Sequence, residues 1–263
     1  MEKITSLDGI PIAYSRRGVG PPLVLVHGTS GSSARWDSLL PMLEKHFSVY
    51  AIDRRGYGES GDSESYTIER EFGDIAAIVD SIGEPANLLG HSFGALCCLG
   101  AALLTPNLHK LILYEPAIRL TSAPLYPEGI IDRLQTRLDA GDREGVLALL
   151  FRELAELTPD EFEGLRLLPS WQARLRSAHA VPRETRAEEQ YEFQAERFRN
   201  FHIPTLLLLG GDSPQFLKQV TETVAAALPN SRIAVLPGQR HIAMNTAPEL
   251  FLHEVLTFLI ESR

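Results

Sequence analysis

The sequence predicts an α/β fold built on a mostly parallel sheet, and three observations carry that expectation. Short apolar runs alternate with segments of helical period. One long stretch in the second half breaks the alternation with helical patterns alone. A glycine-flanked serine stands where one apolar run gives way to a helix.

The chain opens as a β-hairpin, "KITSLDG" then "IPIAYSRRG", with the turn dipeptide Asp8-Gly9 between alternating runs. "PPLVLVHG" is a continuous apolar run, the pattern of a strand buried on both faces. "FSVYAID" (47–53), "ANLLG" (86–90), "LHKLILYE" (108–115), "IPTLLLLG" (203–210) and "RIAVLPG" (232–238) repeat it. Helical periods fall between them, over 33–44, 67–81, 92–104 and 216–227. In "NTAPELFLHEVLTFL" the pair Thr246 and Glu249 predicts a capping box, with Pro248 in the first turn.

Residues 117–200 hold no strand-like run and no lysine. "EGIIDRLQTRLDA" and "DREGVLALLFRELAEL" predict amphipathic helices, and "PRETRAEEQYEFQAERFRNF" a more polar one. A structureless loop of that length does not fit a compact domain. The expectation is a core of residues 1–116 and 201–263 carrying a helical insertion over 117–200.

Composition narrows the function. Of 263 residues, 44% are apolar and 22% charged, and the net charge is −9, which disfavours nucleic acid and anionic membrane surfaces as partners. No apolar run approaches the ~20 residues of a membrane span. The N-terminus lacks a signal-peptide core, so a cytoplasmic location is expected. Cys97 and Cys98 are adjacent, which disfavours a disulfide, and no histidine stands near them at metal-ligand spacing. The pattern calls for a small-molecule substrate and for no cofactor or metal, and it does not fix the oligomeric state.

"GHSFG" (90–94) fits G-x-S-x-G between a predicted strand and a predicted helix, a sharp turn that holds Ser92 exposed at the carboxyl end of the sheet. A serine hydroxyl needs a base to take its proton. Of eight histidines, His241 is the candidate, because it lies in a loop after the last predicted strand. His27 and His91 precede turns expected to aim their side chains away. The acid that would orient the imidazole is either Glu115, at the end of one strand, or Asp212, just past another. The backbone N–H groups of Thr29 and Phe93 are the candidate oxyanion hole, with Gly28 allowing close approach. "DRRGYGES" (53–60) reads as a loop-shaping network in which Asp53 and Arg54 pair. Trp171, Tyr191, Phe193 and Phe198 are candidate pocket aromatics, against the commoner reading that rings at such spacing pack between helices.

From "HGTSG" through "DRRGYGES" and "GHSFGA" to "GQRHIAM", the chain resembles the α/β-hydrolase fold family across essentially its whole length. That resemblance implies an eight-stranded sheet with a helical cap inserted after the sixth strand, and Ser92 and His241 as nucleophile and base. The family's usual acid falls three residues after the glycine that ends the seventh strand, where this chain has Ser213. Haloalkane dehalogenases of the family carry the acid at the end of the sixth strand instead. That placement favours Glu115, with Asp212 its rival. A serine nucleophile sets the chain apart from the aspartate-based dehalogenases and epoxide hydrolases, and from the cysteine-based dienelactone type.

The expected activity is hydrolysis of a small ester, thioester or lactone through an acyl-enzyme. Carbon–carbon bond hydrolysis, cofactor-free perhydrolysis of the haloperoxidase type, and a small-molecule receptor with slow turnover are the alternatives.

Overall fold

The computed structural model describes residues 1–120 and 124–260. The first strands are β1 (Glu2–Thr5), β2 (Pro11–Arg17), β3 (Pro22–Val26) and β4 (Ser48–Ile52). They are followed by β5 (Ala86–His91), β6 (Leu108–Tyr114), β7 (Thr205–Gly210) and β8 (Ser231–Leu236). Together they form one sheet in the order β1-β2-β4-β3-β5-β6-β7-β8. The β1–β2 and β2–β4 pairings are antiparallel and all others parallel.

The helices of the first half are α1 (Leu40–Leu43), α2 (Ile68–Ser81) and α3 (Phe93–Ala101). Between β6 and β7 come α4 (Ile130–Asp139), α5 (Arg143–Leu149), α6 (Pro159–Arg166), α7 (Trp171–Arg176) and α8 (Val181–Gln190). The chain closes with α9 (Gln215–Ala227), α10 (Ala243–Thr246) and α11 (Pro248–Ile260). Among the described residues, nothing from 115 to 204 is a strand.

The apolar runs explain the sheet. In β3 every residue is buried, and because side chains alternate across a strand, Leu23 and Leu25 pack on one face while Val24 and Val26 pack on the other. The first face meets Trp36, Leu40, Phe251 and Val255, and the second meets α2, α3 and α9. β8 departs from the doubly buried pattern: it is the edge strand, and Ile233 and Val235 are exposed.

The helical readings need correction in five places, the first in the polar segment 182–201, where α8 ends at Gln190 and a separate 3-10 turn, Ala195–Phe198, follows. The helix expected over 33–44 is a 3-10 turn, Ser33–Trp36, and then α1, because Pro41 is tolerated only where a helix starts. Thr246 does not cap α11. It ends α10, and its hydroxyl donates to Gln239 Oε1 at 2.7 Å. The capping box lies at Thr158 and Glu161, which open the unforeseen helix α6. Finally, α5 does not run on as an α-helix. It widens into a π-turn over Leu150–Leu154, in which Ala155 N–H bonds to Leu150 C=O five residues back.

Candidate active site

Ser92 sits between β5 and α3 with φ 56° and ψ −125°, a left-handed conformation that a non-glycine residue adopts only under constraint. The two flanking glycines are required by close approach. A Cβ at Gly90 would stand 2.7 Å from Ala95 Cα and from Cys98 Sγ, and one at Gly94 would strike the carbonyls of Val26 and His27. Cys98 packs under this turn, and both it and Cys97 are buried free thiols. Burial pushes both thiol pKa values up, so they stay protonated.

The turn after β3 lies directly against this elbow. A Cβ on Gly28 would come 2.9 Å from Ser92 Cβ, so glycine there brings the backbone beside the serine. Phe93 is the first residue of α3, and its N–H is one that a helix leaves without an intrahelical partner.

The two rival acids separate sharply. Glu115 is fully buried, and its Oε2 lies 2.6 Å from His241 Nδ1. Its Oε1 accepts from the Gly210 N–H at 2.7 Å and the Ser213 hydroxyl at 2.5 Å. Asp212 is exposed, and its backbone carbonyl accepts from Arg240. Glu115 also holds a left-handed backbone, φ 44°, at the end of β6.

His91 does not point away as expected. Its ring stands 4.7 Å from the His241 ring, its Nε2–H donates to the His241 carbonyl at 2.8 Å, and it lines the same cavity as Ser92. His27 is buried on the far side of the turn, where its Nδ1–H donates to Gly28 C=O and its Nε2 accepts the Arg54 N–H. Burial holds both imidazoles neutral, seconded by the charge of Arg54 for His27 and of His241 for His91.

Two small adjoining cavities, of about 50 and about 40 Å³, share Thr29, Ser92, Leu150, Ala155 and His241. The first adds Gly28, Arg35, Phe151, Leu157 and Arg174, and the second adds Ala117, Tyr126, Glu188 and Leu217. The roof is the π-turn at the end of α5, a geometry that recurs at functional sites. None of the four aromatics singled out from the sequence lines either cavity. Trp171 packs behind Phe151, and Phe193 and Phe198 stack on each other. Tyr191 sits edge-on to Phe72, below α8.

"DRRGYGES" is a structural network, but its pairing differs from the expected one. Asp53 accepts the backbone N–H groups of Ser33 and Glu59. Arg54 pairs with Glu71 at 2.8 Å and Glu184 at 3.0 Å, all three buried. Arg55 pairs with Asp74 and Asp8. Glu71 and Glu184 carry no local signal of this role, because each reads as one more charge on a polar helix.

Among the described residues, no three His, Cys, Asp or Glu side chains gather at metal-ligating distance, and no helix is long and apolar enough to cross a membrane.

An eight-stranded sheet flanked by helices, with a strained serine after a central strand, defines the architecture of an α/β hydrolase. A profile of the alpha/beta hydrolase family matches residues 23–254, and the chain belongs to that family. It is 33% identical to an alpha/beta hydrolase from Sphaerobacter thermophilus, covering 98% of this chain and 100% of that one, with a TM-score of 0.86. It is 25% identical to a 2-(acetamidomethylene)succinate hydrolase of Mesorhizobium japonicum, over 95% of this chain and 92% of that protein. A pimeloyl-acyl-carrier-protein methyl ester esterase of Neisseria meningitidis is 27% identical over 86% of this chain and 89% of its own length. The protein is a hydrolase.

Proposed function

We propose that the protein is a serine hydrolase that cleaves a small carboxylic ester, thioester or lactone through an acyl-enzyme on Ser92. His241 takes the Ser92 proton as the hydroxyl attacks the carbonyl, and the Thr29 and Phe93 N–H groups receive the oxyanion. His241 then protonates the leaving group, and a water activated by the same imidazole releases the acid. Glu115 fixes the imidazole tautomer and stabilises its charged form.

The single observation that carries this reading is the Glu115–His241 contact. A buried carboxylate 2.6 Å from Nδ1 makes that nitrogen the protonated one, which leaves Nε2 as the basic nitrogen of a ring that shares a cavity with Ser92. The small size of the cavities and their roof of Leu150, Phe151, Leu154 and Leu157 favour a short acyl group. The likeness to the methyl ester esterase supports ester chemistry.

Turnover of p-nitrophenyl acetate and butyrate tests the reading. Wild-type protein should hydrolyse one or both, and Ser92→Ala should lose at least about a thousandfold of that rate. Equal rates in wild type and Ser92→Ala would sink the proposal.

A further inference from the structure

The geometry points to a carboxylate-binding subsite formed by Arg35 and Arg174 beside Ser92, so that the substrate is an acyl compound carrying a free carboxylate. This deepens the serine-hydrolase reading and rests on it for the chemistry, while the subsite stands on observations of its own.

The two arginines come from different parts of the fold. Arg35 lies in the 3-10 turn after β3, and Arg174 lies on α7 in the segment between β6 and β7. They are 8% and 5% exposed, and both line the cavity that holds Ser92 and His241. A buried guanidinium ordinarily has a carboxylate partner. Arg54 and Arg55 in this chain follow that rule. Among the described residues, Arg35 and Arg174 have none. Arg35 Nη2 reaches only Met244 Sδ, at 3.1 Å. Arg174 Nη1 donates to the Ser30 carbonyl and hydroxyl at 3.0 and 3.2 Å, and its Nε is buried without a partner.

Two cations are therefore held out of water side by side with no anion between them. Burial lowers the pKa of Arg35 to about 9, and Arg174's charge adds to the effect. Burial lowers Arg174 to about 10, so both remain charged at neutral pH. The nearby His27 and His91 are neutral and add no further positive charge. A carboxylate supplies what is missing. It accepts from the planar guanidinium fork in a bidentate pair and neutralises charge that the fold leaves uncompensated.

Access supports the same assignment. A surface cleft of about 410 Å³ is also lined by Arg35 and Arg174, together with Ala34, Ser38, Ser170 and Asn245. The two arginines thus stand between solvent and the inner cavity, where an anion entering the cleft meets them before Ser92. Asp37, the acid lining that cleft, is acted on by Arg17 rather than by either arginine.

A pair of isosteric esters tests the subsite. Monoethyl succinate carries the carboxylate, and ethyl isocaproate replaces it with an isopropyl group. Wild-type protein should favour the half-ester in kcat/KM by at least about tenfold, and Arg35→Met should lower that preference about 10- to 100-fold. Arg35→Lys should recover part of it, since it keeps the charge and loses the fork. Arg174→Gln is judged on the same ratio, because the lost Ser30 contacts also lower absolute rates. An unchanged ratio in Arg35→Met, or a wild-type preference for the neutral ester, overturns the proposal. Calorimetry of succinate binding to Ser92→Ala separates the two readings. Saturable binding that disappears in Ser92→Ala/Arg35→Met upholds the subsite even where neither ester is hydrolysed, and then only the hydrolase reading fails. No saturable binding to Ser92→Ala overturns the subsite.

Discussion

At the residue scale, two left-handed side-chain-bearing residues govern the candidate site. Ser92 and Glu115 end neighbouring strands β5 and β6, and the Ser92 N–H bonds to the Tyr114 carbonyl at 2.9 Å, which ties the two bends together. Each bend turns a side chain out of the pleat and over the carboxyl end of the sheet, and such strain is tolerated because the surrounding packing fixes it. Ser213 occupies the place where the family's usual acid would fall, and it donates its hydroxyl to Glu115. Glu115→Gln keeps the shape and offers the imidazole the wrong partner, so kcat should fall by about 10³- to 10⁴-fold. Asp212→Asn should stay within about threefold of wild type, because its exposed carboxylate bears on nothing in the cavity. Steady-state kinetics of the two variants decide the matter, and a large loss in Asp212→Asn alone would reverse the assignment.

At the element scale, Arg54 joins three pieces of chain. It follows β4, and it donates to Glu71 on α2, to Glu184 on α8, and through Nε to the carbonyl of His27. Its guanidinium also lies 4.8 Å over the Phe93 ring and 4.9 Å over Tyr57. Burial alone would weaken its charged form, but the two carboxylates outweigh that and raise its pKa. Arg54→Met leaves both carboxylates buried and unpaired, which should cost about 3–5 kcal/mol in urea unfolding at neutral pH. Adding Glu71→Gln and Glu184→Gln should restore most of it. A loss under about 1 kcal/mol for Arg54→Met would show that the clamp holds little.

What was legible in the sequence follows from how local each signal is. Buried strands announce themselves as apolar runs, and the elbow as glycines at fixed spacing, because each pattern is set within a few residues. The capping signature Thr158-Pro159-Asp160-Glu161 of α6 is equally local. The partner of His241 lies 126 residues away, so two strand-end acids looked alike until the sheet order set one beside the ring. Arg35 and Arg174 had no local signal at all. An unpaired buried arginine and a solvated one are spelled the same way. The same holds for Trp171, Tyr191, Phe193 and Phe198, which pack against other rings: helical spacing says that a ring is buried, not which side of the helix the cavity lies on.

At the scale of the whole molecule, stability should fall as pH rises through neutrality. Glu188, buried on α8, lines the second cavity and accepts the Tyr126 hydroxyl at 2.8 Å. Burial raises its pKa from the ordinary 4.5 to about 8. The charge of Glu184 adds to this and that of Glu189 weakly so, while the Tyr126 hydrogen bond and the Arg54 charge oppose it. The folded protein therefore keeps a proton that the unfolded chain releases above about pH 4.5. The stability this contributes is fully present below that pH. It declines by up to about 1.4 kcal/mol per pH unit as pH rises, and it is lost once the folded group ionises near pH 8. Glu71, whose pKa is raised to about 7 chiefly by burial, acts with the same sign. Glu188→Gln retains an acceptor for Tyr126 and removes the titration. The stability advantage of wild type over Glu188→Gln in urea should thus shrink, by a few kcal/mol, between about pH 5 and about pH 9. Parallel curves for the two proteins across that range would show that Glu188 stays ionised in the fold, and the second cavity beside Ser92 would then carry a negative charge.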